Sequence, residues 1–324
     1  MPDTITYAEQ AADVLAAVAE AIADDVPFAL ITSVGISGGS ARPLGSLAMV
    51  TGDGRMVGYL SNGCIDADIQ LRGQAAVESG ERAVFHYGHG SSFMDLKLPC
   101  GGSLTVLIDP KPDTTALLAA QEALVARQTA VLRFVVPDTD TTAVFAYRPK
   151  FRLILAGRGA AFRAVATVAH AAGFELGVIT PEASDLTALR PLSHLPPIAL
   201  TTPDQAVDLS TLDENAAFLT LFHDHEWEPH LLQPALETPA AFIGCLGSHA
   251  AQDQRKALLG TMGVEASALA RIRGPIGLVG GLRDAQLIAI SAMAEIADIM
   301  PPSVITYDQD AASAIVPRQS YLLS

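Results

Sequence analysis

At 324 residues, half of them apolar and 17% charged, the chain is long enough for about two domains and rich enough in hydrophobes to bury a core. Thirty-five acidic residues against 20 basic ones give a net charge of −15, which excludes bulk electrostatic grip on nucleic acid or an anionic membrane but leaves room for one small basic pocket. The three cysteines form no CxxC pair, the N-terminus carries acids where a secretory signal carries positive charge, and no apolar run reaches the roughly twenty residues that span a bilayer, so a reduced, cytoplasmic protein is expected.

Residues 8–23, rich in Ala, Val and Leu, are predicted as a helix. Strands over 28–34, 46–51 and 56–61 follow, the last two joined by the tight turn Gly52-Asp53-Gly54. A helix over 65–78 leads to a strand over 82–87, a loop heavy in Gly, His and Ser, and a strand over 103–108. A helix over 113–127 and strands over 130–136 and 142–147 complete an N-terminal mixed α/β domain, residues 1–147. The basic hinge Arg148-Pro149-Lys150 marks the boundary, because proline disfavours helix before it. Beyond it, FRLILA, a glycine turn and a helix, FELGVIT, AFLTLF, a helix around 226–236, AAFIGC, and helices near 249–262 and 282–298 alternate in chain order. That alternation predicts a Rossmann-like, doubly wound parallel sheet over 151–300, leaving 301–324 as a tail with no assigned element.

The richest stretch for chemistry is residues 35–69. Two glycine-rich loops, Ser37-Gly38-Gly39-Ser40 and Ser61-Asn62-Gly63-Cys64, stand at predicted strand ends, where bared backbone N–H groups can cradle an anion. Arg42, just past the first loop, can supply a bidentate positive charge. Cys64, at the start of a predicted helix, sits where the helix dipole favours thiolate, the form that attacks sulfur or binds a soft metal. The bland alternative is that these glycines only turn the chain and Cys64 is a small buried hydrophobe. Cys100, in Leu98-Pro99-Cys100-Gly101-Gly102, repeats the theme, whereas His86 and His89 read more simply as loop and strand residues.

In the second half Gly157-Arg158-Gly159 follows a strand and opens a helix, as a dinucleotide-binding turn does, but Phe162 replaces the third glycine. Thr180 stands where an acid would hold a ribose, with Glu182 two residues late, so NAD(P) binding is poorly supported even though an NAD(P)-dependent oxidoreductase is the alternative reading. His223-Asp224-His225-Glu226 lies at a strand's carboxyl end. His223 and His225 would share a face as metal ligands, although a structural or substrate-contact role is preferred, with Asp224 capping the next helix. Cys245 reads as core, while Gly247-Ser248 and the loop GPIGLVGG (274–281) could wall a cleft. No GxSxG, P-loop or HExxH occurs, which argues against a conventional hydrolase, kinase or metalloprotease.

These segments resemble the xanthine dehydrogenase accessory proteins of the XdhC/CoxI type. The N-terminal resemblance rests on GGSARPLGSLAMVTGDGRMVGYLSNGCIDADI and LPCGGSLTVLIDP. The C-terminal one rests on LILAGRGAAFRAVATVAHAAGF, LTLFHDHEWE, AAFIGCLGSH and IRGPIGLVGG, and together they cover nearly the whole chain in the expected order. The resemblance implies an accessory protein rather than an enzyme: a chaperone that binds the molybdenum cofactor in its molybdopterin form, supports exchange of an oxo for a sulfido ligand, and delivers it to an apo molybdenum hydroxylase of the xanthine dehydrogenase type. A cysteine desulfurase as second partner and a homodimer are also implied; a non-catalytic dimer that only recruits the desulfurase is a third possibility. Candidate cofactor contacts are Ser40, Arg42, Asn62, Gly63, Cys64, Cys100, Gly101, Gly157, Arg158, Gly159, His223 and His225, with Cys64 and Cys100 as the soft metal ligands. The family commonly carries two glycines before the first cysteine, where this chain has Asn62-Gly63, and acids where Thr180 and Val279 stand, which weighs against a nucleotide or metal role for the second half.

Overall fold

The structure, a computed structural model, describes residues 5–88, 101–137, 141–224 and 226–307. The chain forms two compact units, residues 1–149 with 302–324, and residues 150–301.

The first unit opens with β1 (Ile5–Thr6) and α1 (Ala11–Ala23), then β2 (Phe28–Ser37), β3 (Leu47–Thr51) and β4 (Met56–Gly58). After α2 (Asp66–Ser79) come β5 (Ala83–Gly88), β6 (Ser103–Asp109), α3 (Thr114–Val125), β7 (Ala130–Val135) and β8 (Thr142–Tyr147). Six strands make a sheet in the order β1-β4-β3-β2-β6-β5, antiparallel except where β1 joins β4. Side chains alternate between the faces of a strand, and here both faces are covered. Phe28, Leu30, Leu47, Met49 and Leu107 pack into one core with α1, α3 and the β7–β8 hairpin. Ala29, Ile31, Ala48, Val50, Val106 and Ile108 pack into another with Ile69 and Ala76 of α2. The expected strand over 56–61 stops at Gly58, because the N–H groups of Leu60 and Ser61 turn to the Asp66 carboxylate instead of a neighbouring strand.

The second unit runs β9 (Arg152–Gly157), α4 (Gly159–Ala171), β10 (Glu175–Thr180), α5 (Ala183–Leu189), β11 (Ile198–Ala199) and β12 (Ala216–Leu221). It continues with α6 (Pro229–Leu236), β13 (Phe242–Cys245), α7 (His249–Thr261), α8 (Ala266–Leu269), β14 (Ile272–Arg273) and α9 (Ala285–Ile299). Its six strands are all parallel, in the order β11-β10-β9-β12-β13-β14, with the topological switch between β9 and β12. Leu153 and Leu155 of β9 face the core that includes Phe162 of α4 and Ala292 of α9, while Ile154 and Ala156 face Leu231 and Leu232 of α6. The helix expected from 226 begins only at Pro229, whose ring suits the first helical position.

The tail, unassigned from sequence, returns as β15 (Val304–Tyr307), antiparallel to β8 in the first unit, with Val304 against the core there.

Candidate functional site

The register of the first sheet brings its glycine-rich loops to one end. Ser37, the last residue of β2, pairs with Ser103, the first of β6, and Gly88, the last of β5, pairs with the same Ser103. β3 and β4 run antiparallel in turn, so the segment after β4 leaves from that end as well. Loops 38–46, 59–65 and 101–102 therefore share one sheet edge. Gly102 is the point of closest approach: a Cβ there would overlap the carbonyl oxygen of Gly39, so only glycine lets these two backbones touch. Ser40, Arg42, Asn62, Gly63, Cys64 and Gly101 all belong to these loops. Cys100 lies outside the described residues.

Arg42 is not a free cation. It is 7% exposed, its guanidinium pairs with the Glu9 carboxylate and carbonyl oxygen, and its Cζ lies 4.6 Å from the centre of the Tyr59 ring. The Tyr59 hydroxyl donates to the same Glu9 carboxylate. Burial lowers the Arg42 pKa from its ordinary value, against the opposing pull of Tyr59 and Asp66. Arg42 thus ties loop 38–46 to the start of loop 59–65. Ser40 closes the turn locally, its Oγ donating to the Arg42 carbonyl at 2.8 Å and accepting from the Arg42 N–H at 3.3 Å.

The loop bearing Cys64 is built around Asp66, which is 1% exposed. Its Oδ1 accepts the N–H of Leu60 at 2.9 Å and of Ser61 at 3.0 Å, and its Oδ2 accepts the N–H of Gly63 at 2.6 Å. Ser61 Oγ accepts the Ile65 N–H at 2.9 Å. Drawn round this carboxylate, Asn62 and Gly63 take left-handed φ values of 55° and 99°. Asn62, Gly63 and Cys64 are exposed, and Cys64 is a free thiol. The helix expected to start at 65 begins at Asp66, so Cys64 stands in the turn before it rather than in its first turn. Chemically, among the described residues the edge presents the exposed thiol of Cys64 on a turn held from within, suited to a soft metal or a sulfur atom. Asp66 and Glu9 escaped the sequence reading. An acid directly after Gly63-Cys64-Ile65 at a helix start was the available signal for Asp66.

The second unit treats its glycine turn differently. Gly157-Arg158-Gly159 does join β9 to α4, at the carboxyl edge of a parallel sheet. However, the Gly159 N–H, the donor a phosphate would use, goes to Asp185 Oδ2 at 2.8 Å, and Asp185 Oδ1 accepts from Arg163 Nε at 2.6 Å. Arg158 bridges Asp224 at 2.7 Å and Glu182 at 3.3 Å. Phe162, in place of the third glycine, is fully buried in the core. Thr180 is buried too, and its Oγ1 accepts the Glu182 N–H at 3.2 Å. Asp224, expected as a helix cap, instead serves Arg158.

His223 is exposed just past β12, and His225 lies outside the described residues, as does His89. His86 Nδ1 lies 3.0 Å from Thr105 Oγ1 across the β5–β6 pair. Among the described residues no group of three metal-ligating side chains is present. Cys245 is fully buried, and burial pushes its thiol up to about 12. Beside it Glu228 and Arg255, 1% and 2% exposed, pair at 2.9 Å, with Thr220 Oγ1 donating to Glu228 and Arg255 donating to the Leu246 carbonyl. Gly247-Ser248 and the 274–281 loop do wall one cleft, of about 450 Å³, with Leu246, Ile276, Ile288 and Ser291. Among the described residues, no helix is long and apolar enough to cross a membrane.

Comparison with known proteins bears on both units. A family model described as the XdhC Rossmann domain matches residues 153–296, and one described as the XdhC and CoxI family matches residues 21–88. The molybdenum cofactor insertion chaperone PaoD of Escherichia coli (strain K12) is 30% identical over 294 residues, with 86% of each chain covered. The uncharacterized protein YqeB of the same organism is 24% identical over 277 residues, covering 84% of this chain and 43% of YqeB. A crystal structure described as a xanthine dehydrogenase from Bacillus halodurans matches with a TM-score of 0.72 at 20% identity, over 89% of this chain and 95% of that one; this likeness is one of fold.

Proposed function

Since the chain belongs to the XdhC/CoxI family, we propose that it is a molybdenum cofactor chaperone, an accessory protein rather than an enzyme. Its cargo is the molybdopterin form of the cofactor, and its site is the loop edge of the first sheet. The observation that carries this reading is that loops 38–46, 59–65 and 101–102 leave one end of the first sheet, the second of them bearing an exposed, free Cys64. The cargo has a soft dithiolene–molybdenum end and an anionic phosphate end. Cys64 meets the soft end as thiolate, and Cys100, the residue before Gly101 in the sequence, is its expected partner. Ser40, Asn62, Gly63 and Gly101 supply backbone and hydroxyl contacts, while Arg42, paired with Glu9, holds two loops in place.

The protein works in the cytoplasm as a homodimer. It supports exchange of an oxo for a sulfido ligand, with sulfur from a cysteine desulfurase, and passes the cofactor to an apo hydroxylase of the xanthine dehydrogenase type. The relative named as a molybdenum cofactor insertion chaperone supports the cargo and the delivery. NAD(P) is no part of this function: the pairing of Gly159 with Asp185, and of Arg158 with Glu182 and Asp224, favours a turn without a dinucleotide. His223 and His225 carry no assigned role in it.

The test is retention of cargo. Protein mixed with molybdenum cofactor freshly released from a purified molybdenum hydroxylase, then desalted, should keep molybdenum and pterin together. A Cys64→Ala, Cys100→Ala double variant should lose both. Equal retention by the variant, or none by the parent protein, overturns the reading. Tight NADH binding by calorimetry would favour the oxidoreductase alternative.

A further inference from the structure

The buried carboxylate of Asp66 has a use beyond starting a helix. An acid at a helix N-terminus ordinarily faces the helix's own first N–H groups or solvent. Asp66 instead turns back and gathers the N–H groups of Leu60, Ser61 and Gly63, three donors from the six-residue segment before it. The division between its oxygens matters. Oδ1 holds the root of the loop at Leu60 and Ser61, while Oδ2 alone holds the tip at Gly63, at 2.6 Å. The tip is where Asn62 and Gly63 adopt left-handed φ, and the next residue is the exposed Cys64. Asn62 is of a residue type that takes left-handed φ readily, and the N–H of the glycine that follows it is the one Asp66 Oδ2 accepts.

We propose that Asp66 is the positioning residue of the cofactor site: through Oδ2 it fixes the Asn62-Gly63 turn that sets the direction of the Cys64 thiol. This rests on the reading of Cys64 as a cargo ligand. Asp66 does not touch the cargo. It acts as the outer-shell partners of metal ligands do, by orienting the ligand before the metal arrives.

The isosteric variant Asp66→Asn separates this role from simple support. Asparagine keeps one oxygen, able to accept from Leu60 and Ser61, but sets an NH2 donor against the Gly63 N–H. Two donors cannot bond, so the tip is freed while the root stays held. Retention of molybdenum cofactor released from a purified molybdenum hydroxylase should fall by about 10–100-fold. The melting temperature should fall by a few degrees at most, amide exchange should rise at 62–64 and not along α2, and Cys64 should still react with a small alkylating reagent. Gly63→Ala is the second variant. No atom lies within 4 Å of a Cβ at Gly63, so it meets no clash and opposes only the left-handed φ. It should produce the same loss with Asp66 intact, and if Asp66→Asn does not fold, retention by Gly63→Ala equal to the parent's overturns the proposal.

Cys64→Ala is the control that keeps the two readings apart. If Cys64→Ala loses the cargo while Gly63→Ala and a folded Asp66→Asn hold it as the parent does, the positioning role is overturned and the site stands. If Cys64→Ala holds the cargo, Cys64 is not its ligand and the positioning role is overturned, while the site itself is decided by the Cys64→Ala, Cys100→Ala double variant.

Discussion

Both units contain a glycine-rich turn with a buried acid beneath it, and the two acids leave opposite surfaces. In the first unit Asp66 takes the N–H groups on the inner side of the turn, and the thiol of Cys64 faces out. In the second, Asp185 takes the Gly159 N–H, the group a nucleotide phosphate would seek, and Arg158 is held between Glu182 and Asp224. A glycine-rich turn bares donors only when nothing in the protein already accepts from them. Both turns are thus filled from within, and they differ in what they leave outside: an exposed thiol in the first, a paired arginine in the second.

The largest effect is expected at a buried ion pair of the second unit, Glu228 with Arg255. Arg255→Ala would leave Glu228 charged and buried without its partner, where loss of one member of a buried pair costs about 3–5 kcal/mol. Denaturant unfolding should show the second unit weakened by that amount. A loss near zero would mean that water reaches Glu228 and that the frame beside β13 is not dry.

A smaller effect bears directly on the second unit's turn. Asp185→Ala removes a buried acceptor from the Gly159 N–H and from Arg163, and should cost about 1–3 kcal/mol. The same variant should bind inorganic pyrophosphate more tightly than the parent, read by calorimetry. Stability loss without any gain in pyrophosphate binding would shift the closure of the turn from Asp185 to the acids around Arg158.

The fold was largely legible because its signals are local. The near-continuous apolar runs of FRLILAG and ELGVIT suit strands buried on both faces, their interleaving with helices marks the parallel sheet, and the Gly157-Arg158-Gly159 turn marks the first β–α crossover of a doubly wound sheet. What escaped depends on partners distant in sequence. β15 is four residues long, too short to show a pattern, and exists because β8 offers it an edge. The strand over 56–61 was read too long because nothing in Leu60-Ser61 shows that their N–H groups turn to an acid several residues later. The candidate site divides the same way. Loops 37–40 and 61–64 and the thiol stood out by composition, but the commitment of Arg42 to Glu9, 33 residues away, did not.

The cysteines extend the comparison to pH. Cys64 is exposed, whereas the Cys245 thiol is pushed from 9.0 up to about 12, chiefly by burial. Between those values the unfolded chain has lost the proton and the folded chain keeps it, so folding binds a proton and stability falls as pH rises. The slope is about 1.4 kcal/mol per pH unit from this group, beginning near 9. Cys245→Ala should flatten the parent's decline over that range by this amount. At pH 8 an alkylating reagent should modify Cys64 in the folded protein and reach Cys245 only after unfolding.

The smallest expected effect asks whether charge or geometry closes the second turn. Arg158, 37% exposed at its side chain, spans Glu182 and Asp224, and such partly solvated bridges are worth about 0–1 kcal/mol. Arg158→Ala should therefore barely alter unfolding, and what change there is should fade in high salt, where exposed charges are screened. With Arg158 gone, Glu182 and Asp224 would lose their shared cation while Asp185 keeps Arg163 and the Gly159 N–H, so pyrophosphate binding should stay as weak as in the parent or become weaker. The double variant Arg158→Ala, Asp185→Ala then discriminates. If it binds pyrophosphate as Asp185→Ala does, the carboxylate seated on Gly159 was the barrier and the arginine a bystander. If the gain vanishes, Arg158 is the cation that would receive the phosphate, and its two acids are what keep it from doing so in the parent protein.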